Sequence, residues 1–200
     1  MTAVRMAAQA ETRWEGAVWA RVAVAVLVLA AAATIALRPA ALAGSQTSQA
    51  QRTWLLAALY TAITVSSLLP AIPRDRAVLP ASTTALAGIA AVGLAWATAG
   101  PTAPLAAAPA SIALSMAAAV AEESLFRRLA YGHLRRFGVP VAIGGAAALF
   151  ALVHVPAYGT AALPVDLGAG LLFGWQRWAS GTWAVPAATH AAANLLAVIR

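Results

Sequence analysis

The chain has 200 residues, of which 62% are hydrophobic and only 10% are charged, and its mean hydropathy is +0.79. Soluble domains carry roughly 25% charged residues, so this composition excludes an ordinary soluble protein and predicts an integral membrane protein. The sequence contains no cysteine, which excludes disulfides, a thiolate zinc site and a cysteine nucleophile.

The net charge of +7 comes from 13 arginines against 6 acidic residues. The arginines lie in the breaks between apolar runs rather than on one basic face, so we expect no nucleic-acid partner. With the N-terminus inside, only Arg38, Arg52 and Arg200 fall outside, which is the bias that cytoplasmic loops have. Together with the alanine- and arginine-rich composition, this predicts a multi-pass protein of the bacterial inner membrane with a cytoplasmic N-terminus.

Seven apolar segments are long enough, or nearly so, to cross a hydrocarbon core of about 30 Å. We therefore predict an all-α, polytopic membrane helix bundle of about seven transmembrane helices (six to eight), forming one membrane domain over residues 1–200. Pro140 opens the fifth predicted span and Pro156 closes it. The predicted spans are 18–37, 54–72, 80–99, 105–126, 139–156, 162–178 and 183–199.

The first apolar segment has an alternative interpretation as a signal peptide, with the Ala-Leu-Ala at 41–43 as the cleavage site. Its apolar run is longer than the usual h-region of about 7–15 residues, and Arg38 follows it directly. We therefore expect a retained helix.

Polar groups inside a bilayer are costly and commonly functional. Glu123 and Arg127 are four residues apart, in the orientation that favours an ion pair within one helix. Glu122 points about 100° away from Glu123 and is free to face a neighbouring helix. Alternatively, both glutamates lie at the cytoplasmic edge and reach water. The polar groups in or at the edge of the spans are Glu122, Glu123, His154, Asp166, His190 and Asn194.

Two further pairs have helical spacing. Phe150 and His154 share one helix face, as do His190 and Asn194 on the last span. Taken singly, each polar group also fits an interhelical hydrogen bond or a polar packing seam. If the fourth helix continues to Arg136, however, four of these groups lie about 12–21 Å from the cytoplasmic ends of their helices. They are Glu122, His154, His190 and Asn194. Their similar depth favours one shared site.

A carboxylate and a histidine that share a water form a general base, and a second histidine with an asparagine can hold an oxyanion. This arrangement is typical of a peptidase or amidase that uses water as its nucleophile. Alternatively, the same residues could form a zinc site, with Glu122, His154 and His190 as ligands and water in the fourth position. The sequence does not decide between the two.

Two other features have structural interpretations. Asp166 follows Pro164 at the start of the sixth span, where a carboxylate complements the helix dipole. Gly170 and Gly174 form a small-residue face that is typical of close helix packing.

Three motifs, in order on three late spans, resemble the CPBP family of CAAX-prenyl and bacteriocin-processing proteases, also called the Abi or Rce1-like family. They are EESLFR at 122–127, FALVH at 150–154 and HAAAN at 190–194. The family pattern is Glu-Glu-x-x-x-Arg, Phe-x-x-x-His and His-x-x-x-Asn or Asp. The resemblance covers about residues 105–200, as a catalytic core, whereas 1–104 are apolar spans without a family signal.

The resemblance implies an intramembrane endopeptidase. It implies that Glu122 and His154 activate water and that His190 and Asn194 form the oxyanion pocket. The family is often named a metalloprotease, but its Rce1-like structures suggest a glutamate-dependent mechanism, so we expect no required metal, with zinc as the alternative. The residues expected to support the site are Glu123, Arg127 and Phe150.

The expected partners are the lipid bilayer and an unidentified peptide or protein substrate, and prenylated CAAX substrates are not expected. The sequence leaves the side of substrate entry open, although the arginine-lined inner edge would suit entry from the cytoplasm. The alternative function is a non-catalytic membrane scaffold or immunity protein that binds a partner through the same polar core. A transporter would require paired broken helices or an inverted repeat, and the sequence has neither.

Overall fold

The computed structural model describes residue 18 and residues 20–38, 48–73, 75–98 and 109–198, and these are folded as an all-α bundle with no strand among them. The main helices are α1 (Ala20–Arg38), α2 (Gln49–Leu68), α3 (Ala81–Thr98), α4 (Pro109–Glu123), α5 (Tyr131–Leu134), α6 (Val139–Tyr158), α7 (Leu163–Ser180) and α8 (Ala184–Val198). A π-helical segment, Ser124–Ala130, joins α4 to α5, and short 3₁₀ turns at Arg135–Phe137 and Thr160–Ala162 precede α6 and α7.

Each of the seven predicted spans corresponds to one long helix, which confirms the predicted helical bundle. By length and composition, α1, α3 and α6 are apolar enough to cross a membrane, and α8 is a shorter apolar helix. Large apolar side chains such as Leu29, Leu86 and Leu152 lie on the outside of these helices. An apolar exterior of this kind suits a bilayer rather than water. The total of seven crossings stays a prediction.

Two of the helix ends that differ from the predicted ones have a clear local cause. The second helix begins at Gln49, before the predicted 54, because Ser48 and Gln51 form a reciprocal capping box. The predicted end at Pro156 is also wrong, since α6 continues to Tyr158. A proline removes only its own N–H from the helix ladder, which membrane helices tolerate. The helix ends instead at Gly159, whose φ of 76° is accessible to glycine without strain.

The fourth predicted span continues as helix well beyond its expected end, as the depth argument assumed. It runs from Pro109 through the π-helical segment and α5 to Phe137, with the two glutamates at the end of α4. In a π-helix the backbone bonds close over five residues, so the turn is wider than an α-turn, and such segments are frequent at functional sites. The sequence analysis did not predict this change of helix type.

Helices α6 and α7 pack closely through the predicted glycine face. A Cβ added at Gly170 would lie 2.9 Å from the Cα of Ala147, and one added at Gly174 would lie 3.0 Å from Cγ2 of Ile143. These positions therefore have no room for a side chain, which confirms the packing role predicted for both glycines. Deep in the same bundle, Gln176 of α7 donates to the carbonyl of Thr84 and to the hydroxyl of Thr189, tying α3 and α8 to α7.

We predict that Gly170→Ala lowers the stability of the protein. The new methyl group would meet the α6 backbone, and overpacking of this kind costs about 1–3 kcal/mol. Thermal unfolding of the purified protein in detergent measures the loss. Gly168→Ala is the matched control, because nothing lies within 4 Å of its added Cβ. Equal midpoints for the two variants would contradict the close α6–α7 packing.

Candidate active site

A cavity of about 430 Å³ lies inside the bundle, between α1, α2, α4, α6 and α8. Its wall carries the four residues that the sequence predicts as catalytic, from three helices: Glu122, His154, His190 and Asn194. Since a water molecule takes up about 30 Å³ of liquid, the cavity has room for several waters or for a short stretch of peptide.

Glu122 is buried in the last turn of α4 and faces neighbouring helices. Its Oε2 lies 3.6 Å from Nε2 of His154 and 4.0 Å from Nε2 of His190, and its Oε1 lies 3.5 Å from Nη1 of Arg38. Direct N–H···O bonds are shorter than about 3.2 Å, so these gaps suit bridging water. The alternative in which Glu122 and Glu123 reach water at the membrane edge is wrong, because both are buried.

The ring of His154 is held in one orientation. Its Nδ1 lies 2.7 Å from the carbonyl oxygen of Phe150, one turn earlier in α6, and a carbonyl can only accept. The Nδ1 atom therefore carries the proton. The ring is also stacked on Tyr158, with an interplanar angle of 10° and centroids 5.8 Å apart. In the neutral imidazole, Nε2 then presents a lone pair towards Glu122.

Glu123 is fully buried and takes two bonds on one oxygen. Its Oε1 accepts from Nη1 of Arg127 at 3.0 Å and from Nδ1 of His190 at 2.9 Å. The ion pair predicted from the spacing of Glu123 and Arg127 is therefore confirmed, and it is extended to α8. Because His190 Nδ1 donates its hydrogen bond to this carboxylate, the Nε2 of that histidine faces the cavity and Glu122.

Arg127 is buried among aromatic rings. Its guanidinium carbon lies 4.5 Å from the centroid of Phe150 and 5.2 Å from that of Phe173, distances at which a cation is attracted to a ring face. Its Nη2 donates to the carbonyl of Gly170 at 3.2 Å. Phe150, predicted as a supporting residue, thus touches Arg127 on one side and His154 on the other, with centroids 4.6 Å apart.

His190 and Asn194 both line the cavity from α8, as their spacing predicts, but they have different partners. Phe173 is stacked on the His190 ring, with centroids 5.0 Å apart. Asn194 Nδ2 donates to the carbonyl of Ser115 in α4 at 2.9 Å. This bond uses one of the two amide protons of Asn194 and leaves the other for a ligand.

The N-terminal half contributes residues that the sequence analysis did not assign to the site. Arg38, the last residue of α1, contacts Glu122 and donates to the hydroxyl of Tyr60 in α2 at 2.8 Å. Both residues line the cavity. Nothing in the apolar runs of α1 and α2 marks these two positions. Tyr158, in contrast, had a signal, because it follows His154 by four residues and so shares its helix face.

The cavity extends away from the arginine-rich end of the bundle. Its lining includes the final residue of α1, Arg38, the final residue of α8, Val198, and Ser111 near the start of α4. Arg135 and Arg136 lie at the opposite end, where the helix that carries the glutamates finishes. The side from which substrate enters stays a prediction.

Asp166 lies in the first turn of α7 and is not part of the cavity wall. This is the helix-dipole position that the sequence predicts. Among the described residues, no group of three or more His, Cys, Asp or Glu side chains is arranged to hold a metal ion. The zinc alternative, with Glu122, His154 and His190 as ligands, stays a prediction.

Residues 103–196 match a family model described as "Type II CAAX prenyl endopeptidase Rce1-like". The match includes all three motifs and excludes α1, α2 and α3. No curated protein and no solved structure gives a match. The Rce1-like family is a family of CAAX-type intramembrane proteases, which supports a peptide hydrolase. Residues 103–196 of this membrane protein are therefore an Rce1-like domain of the CPBP family, as the three motifs predict.

Proposed function

We propose that this protein is an intramembrane endopeptidase that hydrolyses a peptide bond with water activated by Glu122 and His154. The observation that carries the proposal is the pair of proton acceptors in the cavity wall. Glu122 Oε2 and His154 Nε2 face each other at 3.6 Å. One water placed between them can donate a hydrogen bond to each, which turns a lone pair of the water oxygen towards a substrate carbonyl.

In the proposed reaction the water oxygen attacks the carbonyl carbon while Glu122 accepts a proton from the water. The C–N bond then breaks as Glu122 returns this proton to the leaving amine. His154 orients the water, and the Phe150 carbonyl keeps its ring in the required tautomer. A buried site with little competing water strengthens these electrostatic interactions.

The oxyanion of the tetrahedral intermediate needs donors on the opposite side of the carbonyl. Asn194 has an amide proton left for this purpose, because only one of its two is bonded to Ser115. His190 acts as a second donor only in its doubly protonated form, because its Nδ1 proton is already directed at Glu123.

The charges around the site balance without a metal ion. The carboxylates of Glu122 and Glu123 are paired with the guanidinium groups of Arg38 and Arg127. We therefore propose glutamate chemistry without a required cofactor. The substrate is proposed to be a peptide or protein segment reached within the bilayer, and the location is proposed to be the bacterial inner membrane with the N-terminus in the cytoplasm.

Glu122→Gln should abolish peptide cleavage while the fold is kept. The amide has the shape of the carboxylate but cannot accept the proton of the water, and loss of a general base costs at least about 100-fold in rate. The purified protein is incubated with a proteome-derived peptide library, and new termini are read by mass spectrometry with and without a chelator.

Asp166→Asn is the control, because it makes the same acid-to-amide change outside the cavity wall. Since Asp166 still interacts electrostatically with His154, this variant should lower the activity, but far less than Glu122→Gln does. Cleavage that persists in folded Glu122→Gln would overturn the proposed mechanism. Cleavage that depends on Glu122 but is lost with chelator would assign the reaction to a metal. If folded wild-type protein produces no new termini, the scaffold alternative is favoured.

Arg127→Met should destabilise the protein by about 3–5 kcal/mol, because it leaves Glu123 charged and buried without its guanidinium partner. The double variant Glu123→Gln/Arg127→Met should recover at least half of that loss, since no buried charge of the pair remains. Chemical unfolding in detergent measures both. The control Arg136→Met removes an exposed arginine from the same chain segment and should change little. A single variant as stable as wild type would refute the anchoring role of the pair.

A further inference from the structure

A second cavity, of about 470 Å³, lies at the arginine-rich end of the bundle, opposite to the end towards which the first cavity extends. It lies between the segment after α2, the π-helical segment and the turn that joins α7 to α8. Arg128 and Arg177 line it, together with Thr182, Trp183 and Ile72, and none of the described residues in its wall is acidic. This cavity takes no part in the proposed hydrolysis.

Arg128 is fixed at the cavity wall by backbone acceptors. Its Nη1 donates to the carbonyl of Ser67 and its Nη2 donates to the carbonyl of Pro70 at 3.0 Å. A guanidinium carries five N–H donors, and these contacts use two of them. Carbonyls hold the group in place but do not neutralise its charge, so its positive field remains in the cavity.

Arg177 is also held in place. It is buried, its Nε donates to the carbonyl of Arg127 at 3.1 Å, and its guanidinium lies 4.9 Å from the ring centroid of Tyr131. Its ion-pair partner is Asp75, with Nη1 and Oδ2 3.2 Å apart. Asp75 also lies 3.6 Å from Nε of Arg135.

Asp75 thus pairs with both Arg135 and Arg177, and Arg128 has no carboxylate among its described contacts. Two positive charges are left without a balancing carboxylate among the described contacts. Two guanidinium groups held around one cavity form a site for an oxyanion, since their forked N–H donors match phosphate and carboxylate oxygens. Arg128 and Arg177 both line the cavity, so a tetrahedral phosphate there can accept hydrogen bonds from both.

We propose that this second cavity binds a phosphate group, supplied by the headgroup of an anionic phospholipid or by free phosphate. Its place at the end of the helices, with the indole of Trp183 and the side chain of Ile72 in its wall, corresponds to the headgroup level of a bilayer. The arginine bias predicts this end to be cytoplasmic. Basic pockets between helices on that side are where anionic lipid headgroups bind.

The test measures thermal unfolding of the full-length protein in nanodiscs of phosphatidylcholine. One arm adds inorganic phosphate, and the other replaces part of the lipid with phosphatidylglycerol. A ligand that binds only the folded state raises its unfolding midpoint, and for a chain of this size we expect a rise of about 5 °C at a saturating concentration.

In the Arg128→Gln variant, the probe should raise the unfolding midpoint by less than half as much as in the wild type. Arg136→Gln should keep the wild-type rise, because Arg136 lies at the same end but is not part of the cavity wall. An Arg128-dependent rise with phosphatidylglycerol assigns the site to a lipid headgroup. The same dependence with inorganic phosphate alone assigns it to free phosphate. No rise with either probe, or equal losses in the two variants, would overturn the proposal.

Because Arg128 also ties down the segment after α2, Arg128→Gln risks misfolding. Ala71→Trp is a second variant that keeps every arginine. Ala71 is exposed at the cavity wall, and an indole there would fill the space without removing a hydrogen bond of the arginines. The variant should lose the rise as Arg128→Gln does. A full rise in folded Ala71→Trp would show that the anion binds elsewhere.

Discussion

The architecture depends on one buried ion pair, between Glu123 and Arg127. Neither charge is stable alone in such an apolar interior, so each must find partners, and the partners come from α6, α7 and α8. The carboxylate also accepts a hydrogen bond from His190 of α8. The guanidinium donates to a backbone carbonyl of α7 and lies over the rings of Phe150 and Phe173. The cost of burying this pair thereby sets where α6, α7 and α8 meet the π-helical segment, and with it the placement of Glu122.

Relations within one helix could be predicted from the sequence, because the spacing of residues on a helix is fixed. The Glu123–Arg127 pair and the separate direction of Glu122 follow from it, and the helices follow from the apolar runs. Relations between helices could not be predicted. Whether Arg38 or Phe173 reaches the site depends on which helices are neighbours, and uniformly apolar segments carry no periodic signal of their buried face.

The π-helical segment lies between two cavities of different character. On one side Glu122 faces a space in which acidic, basic and imidazole groups are balanced. On the other side Arg128 faces a space whose charged lining residues are all arginines. Arg127 connects the two sides, since its side chain supports the first site and its carbonyl accepts from Arg177 in the wall of the second. Consecutive residues of this one segment, Arg127 and Arg128, thus contribute to different cavities.

The contact between Arg38 and Glu122 joins the first helix of the chain to the fourth. During synthesis α1 enters the bilayer long before α4 exists, so its terminal arginine must remain at the membrane surface until the glutamate arrives. His154 and His190 follow later still. The polar wall of the cavity is therefore completed only when α8 docks, and a partly inserted chain would hold the two glutamates without His190. The order of residues along the chain thus makes this polar wall one of the last parts of the bundle to assemble.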